Sequence, residues 1–221
     1  LIINKELESF NYISSHDLQE PLRKIQAFSN LILDEEYETL STKGKYYFER
    51  SRLSALHMQT LINDLLAYSR TNATDRKFEY SDLNKIMREV MAALKEELQE
   101  KKATVEFGPL GEANIIPFQF RQLVQNLISN SIKFSKSGIP PHITIKCNYV
   151  KYDESIHKTF PLKTDHHHIS VADNGIGFDA SYKDKIFEIF QRLHHKEDYL
   201  GTGIGLTIVK KIVENHKGIV T

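Results

Sequence analysis

The sequence predicts an α+β chain in two parts, a long helical hairpin followed by an α/β sandwich. Three observations carry this expectation. The first seventy or so residues hold one proline, Pro21, and one glycine, Gly44, and a segment so poor in breakers reads as helix. Apolar residues within it recur at a helical step. After a short polar break, strand-like runs and helical stretches take turns, the pattern of a mixed α/β layer structure. A length of 221 residues allows one domain or two, at about 100–200 residues each. The break divides the chain into 1–76 and 77–221.

Leu7, Phe10, Ser14, Leu18, Leu22, Ile25, Phe28 and Ile32 step by threes and fours and form one stripe of an amphipathic helix. Pro21 cannot donate to the Asp17 carbonyl, so this helix is expected to bend at that turn. Ser41 is placed to cap a second helix running to about Arg70. Tyr47, Met58, Leu61, Leu65 and Tyr68 share its apolar face, and Leu53, Leu56 and Ile62 widen it. A lone hairpin cannot bury two such faces. Pairing two hairpins into a four-helix bundle can, so the sequence predicts a homodimer.

Beyond the break, strands are expected at 104–107, 143–147 and 169–172, and helices at about 83–99, 117–135 and 205–216. Residues 149–168 are polar and aperiodic, and read as an excursion between two strands. His166, His167 and His168 fall in its last part; three consecutive strand residues cannot all face one metal ion, because their side chains alternate.

Charge and cysteine usage exclude several functions. Lys+Arg and Asp+Glu each number 29, so the basic excess of a duplex nucleic-acid binder is missing, as is a reason for attraction to an anionic membrane surface. Cys147 is the single cysteine, which excludes an internal disulfide framework and a multi-cysteine zinc site. Its use as a small apolar filler fits reducing, cytoplasmic conditions. No run approaches the roughly 18 apolar residues of a spanning helix. The chain starts at Leu1 and stops in mid-pattern at Gly218-Ile219-Val220-Thr221, so it is expected to be a piece of a longer protein.

Four groups of residues carry chemistry. His16 sits about 200° around the helix from Ser14 and Leu18, off the apolar stripe, with Asp17 beside it to accept a proton or orient the ring. By itself this is a surface histidine. Gln122, Asn126, Asn130 and Lys133 make a polar stripe at helical spacing. Surfaces more often use Lys and Glu than repeated carboxamides, and an amide oxygen suits Mg²⁺ bridging a nucleotide's phosphates while a lysine pairs a phosphate oxygen. Asp173-Asn174-Gly175-Ile176-Gly177 follows a strand. In isolation it is a plain turn, yet a carboxylate there can accept from adenine's exocyclic amine, with Gly175 and Gly177 letting backbone close on the base. Gly201-Thr202-Gly203-Ile204-Gly205-Leu206 opens a helix, whose amides can bind phosphate. A charged segment, not a strand, precedes it, which argues against a dinucleotide fingerprint. Phe187 and Phe190 read as core residues.

Taken in order, these motifs resemble those of the two-component sensor histidine kinases over essentially the whole chain, from about Asn4 to Thr221. Phe10 through Arg23, with Ser15-His16-Asp17-Leu18-Gln19-Glu20-Pro21-Leu22 inside it, is similar to the phosphoacceptor box, 122–134 to the asparagine box, and 186–193 to the phenylalanine box. The resemblance implies that His16 is autophosphorylated, that Asp17 is the general base, and that the hairpin dimerises. It implies ATP at Asn126, Asn130, Lys133, Asp173, Gly175, Gly177, Arg192, Gly201, Thr202, Gly203, Gly205 and Leu206, with Mg²⁺ on Asn130 and a lid at 194–200. It implies a sandwich of the gyrase, heat-shock chaperone, histidine kinase and MutL type. It further implies transfer to an aspartate of a response regulator, a sensor region upstream, and strands beyond Thr221 that complete the sheet. Glu20 stands where many members carry Thr or Asn; a carboxylate repels an incoming phosphoryl group, so weak phosphatase activity is expected. Two other classes stay open: an ATP-driven clamp on the same nucleotide fold, against which the histidine box argues, and a dimeric scaffold without turnover.

Overall fold

A computed structural model describes the backbone of residues 2–71, 77–152, 164–191 and 201–221, with side chains from Asp17 onward. The described residues fall into two compact units, the hairpin with residues 201–204, and the remainder from 77 onward.

In the first unit, helix α1 (Ile2–Glu35) runs on through Pro21. Helix α2 (Thr42–Thr71) begins where the Ser41 hydroxyl accepts from the Gly44 amide at 3.1 Å, which satisfies one of the amides a helix start leaves open. Thr39 closes the turn between them by donating to the Glu36 carbonyl at 2.7 Å. Leu22, Ser29 and Ala55 are buried, and Gln19 donates across the hairpin to Asn63 at 3.0 Å. Much of the described apolar surface stays open: Leu18, Ile25, Phe28 and Leu31 on α1 and Tyr47, Leu56, Met58 and Leu65 on α2 are exposed, Phe28 at 63%, while Ile32, Leu53, Leu61, Ile62 and Tyr68 are half-buried.

Among the described residues the second unit holds two sheets. Strand β1 (Glu79–Asp82) pairs antiparallel with β3 (Glu112–Ile115). Strand β4 (His142–Val150) lies at the centre of the other sheet, parallel to β2 (Thr104–Phe107) and antiparallel to β5 (His166–Asp173). Helix α3 (Leu83–Ala93) is capped by Asp82, whose carboxylate accepts from the amides of Asn84 and Lys85. The helix expected over 83–99 is interrupted at Leu94, where ψ is 10°, before a short α4 (Lys95–Glu100). The bonds from Leu94 to Val90 and from Leu98 to Leu94 persist across the break; no glycine or proline marks it. Helices α5 (Pro117–Lys133) and α6 (Gly205–Asn215) follow, with two short 3-10 turns at Ala180–Tyr182 and Lys185–Phe187 between them in the chain. Leu83, Met87 and Val90 of α3, Ile128 and Ile132 of α5, Ile143 and Ile145 of β4, and Ile208 and Ile212 of α6 form the unit's buried core.

The excursion expected over 149–168 is shorter than the polarity suggests. Tyr149 pairs with His167 and Val150 with His166, so both strands extend into it; residues 153–163 lie outside the described ones. Asp165 clamps the strand ends, accepting from the Tyr152 amide and the Tyr149 hydroxyl, each at 2.9 Å. Those bonds favour the ionised form and hold its carboxyl below the usual carboxylate range. His166 and His168 point to one face of β5 and His167 to the other, with the His167 Nδ1 3.6 Å from the Cys147 sulfur. Burial pushes the Cys147 thiol up, so it stays protonated.

One close approach ties the sheet to α5. The Ile176 amide donates to the Phe134 carbonyl at 2.9 Å. A Cβ on Gly175 would stand 2.6 Å from that carbonyl oxygen and 2.8 Å from the Asp173 Oδ1. The obstacle is backbone, which cannot swing aside. Gly175→Ala is therefore expected to lower stability by about 1–3 kcal/mol, as overpacking does. Gly108→Ala, with nothing within 4 Å, serves as the control and should stay within about 0.5 kcal/mol. Equal urea-denaturation midpoints for the two variants would refute this close-contact argument.

Candidate functional site

Helix α5 carries the polar stripe because its apolar residues do the packing. Leu123, Val124, Ile128 and Ile132 are buried, which leaves Asn126, Asn130 and Lys133 half-buried along the neighbouring face. Asn126 donates from its amide nitrogen to the Gly205 carbonyl at 3.3 Å, at the first residue of α6. The Asn130 amide lies against the same residue, 3.7 Å from where a Gly205 Cβ would stand. The Lys133 ammonium sits 4.9 Å from the Phe134 ring centroid. Two carboxamides thus meet the glycine that opens α6, and Leu206 follows it half-buried.

Asp173 ends β5 beside the last turns of α5. Its Oδ1 accepts from the Gly175 amide at 2.8 Å. Its Oδ2 lies 3.1 Å from the Ser131 hydroxyl, which also lies 3.0 Å from the Leu127 carbonyl, so one proton serves two acceptors. The carboxylate is exposed and keeps lone pairs for a further donor. Asn174 fixes the opposite side of the turn, accepting from the His142 amide at 2.9 Å and donating to the Pro140 carbonyl at 3.1 Å. Gly177 has φ +64° with open space around it. Ser131, Asp173 and Gly175 are therefore locked to α5 in the helical turns that carry Asn130 and Lys133.

Sequence reasoning missed Ser131 and Asn174. Ser131 falls one turn after Leu127 and beside Asn130, a spacing with no signature of its own. Asn174 could have been suspected, since Asn side chains commonly bond nearby backbone in turns.

Other expected residues are placed differently. Gly201, Thr202 and Gly203 group with the first unit, where the Thr202 hydroxyl donates to the Asp64 carboxylate and accepts from the Ile204 amide at 3.3 Å. Gly203 has φ +74°. Arg192 and the lid expected at 194–200 lie outside the described residues. His16 is placed within α1 by its backbone only. Asp17 is exposed, and Glu20 pairs with Lys24 at 2.8 Å. The core reading of the phenylalanines needs correction: Phe187 is half-buried, but Phe190 is exposed with φ +63°, because the left-handed turn there swings it outward.

Comparison with known proteins finds family matches in both parts of the chain. Residues 6–74 match the family described as "His Kinase A (phospho-acceptor) domain". Residues 116–221 match the family described as "Histidine kinase-, DNA gyrase B-, and HSP90-like ATPase". The chain is 34% identical to the phytochrome-like protein Cph1 of Synechocystis over 97% of its own length and 27% of that protein's. It is 37% identical to cyanobacterial phytochrome A of Nostoc, over 97% and 26%. The chain thus spans about a quarter of the length of these relatives. The full-length ShkA structure in complex with AMPPNP shares the fold with a TM-score of 0.61 at 22% identity, over 93% of this chain and 40% of that one. A phosphoacceptor-type helical hairpin and an ATPase domain of this kind occur together in one chain, and the chain belongs to the sensor histidine kinases as a transmitter core of two-component signalling.

Proposed function

We propose that this chain is an ATP-dependent protein-histidine kinase that phosphorylates itself on His16 and passes the phosphoryl group to an aspartate of a response regulator. Residues 1–76 are its dimerisation and phosphoacceptor part and 77–221 its ATP-binding part. The observation that carries the reading is the neighbourhood at the C-terminal turns of α5, where Asn130 lies against Gly205 and Ser131 holds Asp173.

These residues fit a purine nucleotide. Asp173 presents an exposed carboxylate, fixed on one oxygen by the Gly175 amide, to the exocyclic amine. The absence of a side chain at Gly175 lets the turn lie flat on α5. Asn130 supplies a neutral amide oxygen suited to Mg²⁺, with Asn126 and Lys133 alongside; the ion, when bound, offsets phosphate charge. Gly205 and Leu206 offer helix N-terminal amides to the phosphates. Gly177, Arg192, Gly201, Thr202 and Gly203 are included as nucleotide contacts on the family resemblance alone. The γ-phosphorus bonds to a His16 ring nitrogen, its bond to the bridging oxygen of ADP breaks, and the ring proton passes to Asp17. Catalysis is then mostly positioning. No helix among the described residues is long and apolar enough to cross a membrane.

The exposed stripe of the hairpin supports dimerisation. Light scattering is expected to give the mass of two copies, and Phe28→Glu, at a position 63% exposed in the single chain, is expected to shift it to one. An unchanged mass for Phe28→Glu together with a monomeric wild type would rule the bundle out.

The activity is tested with γ-labelled ATP and Mg²⁺. The expected result is acid-labile, base-stable label on the protein, abolished in His16→Gln. Free phosphate without labelled protein would instead identify an ATP-driven clamp. Bound nucleotide with neither product would identify a scaffold.

A further inference from the structure

Helix α5 has a start that its own sequence cannot satisfy. Its N-cap, Ile116, makes no side-chain capping bond, and Pro117 has no N–H to place. In a capping box the residue three positions on would reach back to the N-cap amide. Gln119 occupies that position, but its Oε1 is engaged by the Asn215 amide at 3.2 Å, and both side chains are buried. The Ile116 amide instead donates to His216 Nε2 at 2.9 Å. The cap of α5 is supplied from the end of α6.

Two partners dictate the state of the His216 ring. A backbone N–H can only donate, so Nε2 must carry a lone pair. The Ile212 carbonyl, 2.7 Å from Nδ1, can only accept, so Nδ1 must carry the hydrogen. The imidazole is therefore neutral and a single tautomer, with the Phe78 ring edge-on at 5.3 Å between centroids.

Helix α6 is thus tied to α5 near both of its own ends. At the far end stand Ile116 to His216 and Gln119 to Asn215. At the other, Asn126 holds the Gly205 carbonyl. The eleven residues of α6 separate these ties by about 16 Å at 1.5 Å per residue. A helix slides as a rod, so a tie at one end sets the position of the other. We infer that His216 is a positioning residue for nucleotide binding: as a neutral cap on α5 it sets the register of α6, and through it where the Gly205 backbone meets Asn130. This rests on the nucleotide site proposed above.

The test uses the full 221-residue chain with AMPPNP and Mg²⁺ in titration calorimetry. Gln can place its amide oxygen near the Nε2 position, whereas Asn reaches only as far as Nδ1. His216→Ala and His216→Asn are expected to weaken AMPPNP binding by about threefold to tenfold, the worth of one hydrogen bond. His216→Gln should stay within about twofold of wild type. Nitrogen-15 spectra of the wild-type imidazole should show hydrogen on Nδ1. The inference is overturned by an unchanged affinity in His216→Ala, by a Gln variant as weak as the Asn variant, or by hydrogen on Nε2. Should His216→Ala not fold, the Gln and Asn pair decides it. A wild-type chain that binds no AMPPNP would refute the nucleotide site itself, a failure separate from one seen only in the variants, and would overturn the link between His216 and that site.

Discussion

The backbone contact between Ile176 and Phe134 is the constraint on which the candidate site depends. It joins the turn after β5 to the C-terminal end of α5 through a 2.9 Å hydrogen bond, and only a residue without a Cβ fits between them. Once that contact is made, the positions of Asp173 and Asn130 follow from each other. Asp173 is the last residue of a strand held in register by β4, and Asn130 is on the helix whose end accepts the bond. No long-range charge is needed to gather the site. Short-range sterics and one amide do it.

Polar side chains in this unit largely serve to fix other groups. Ser131 and the Gly175 amide address the two oxygens of Asp173, Asn174 bridges the turn to the start of β4, and Asn126 reaches α6. Asn84 does the same elsewhere, donating to the Gly108 carbonyl at 2.9 Å and accepting from the Leu110 amide at 2.8 Å. Each bond contributes only about 1 kcal/mol net, but each satisfies a group that would otherwise be left unpaired. The result is one exposed carboxylate, Asp173, whose position is fixed by its neighbours. The neutral net charge of the whole chain is consistent with the proposed nucleotide site, since one nucleotide needs a metal, a lysine and amides, not a basic surface.

Much of this was legible in the residues, and the reasons for the remainder are physical. The hairpin could be read because Leu22, Ile25 and their neighbours repeat at a helical step and Ser41 marks a helix start. Helices α5 and α6 could be read because their apolar flanks are unambiguous. The extensions of β4 and β5 could not, because Tyr149, His166 and His167 are polar or aromatic residues whose pairing is set by register and not by composition. The break at Leu94 has no local cause in sequence. Phe190 could not be placed because a left-handed turn, not hydrophobicity, decides its exposure. His216 was invisible for another reason: its role exists only once α5 and α6 lie side by side, a hundred positions apart in the chain.

In the proposed function Asp173 accepts from the exocyclic amine of a purine. Competition binding with inosine diphosphate against adenosine diphosphate tests it most directly, because inosine presents a carbonyl where adenine presents the amine. The inosine compound is expected to bind weaker by about tenfold or more, since a carbonyl facing a carboxylate leaves two acceptors unpaired. Equal affinities for the two nucleotides would contradict it.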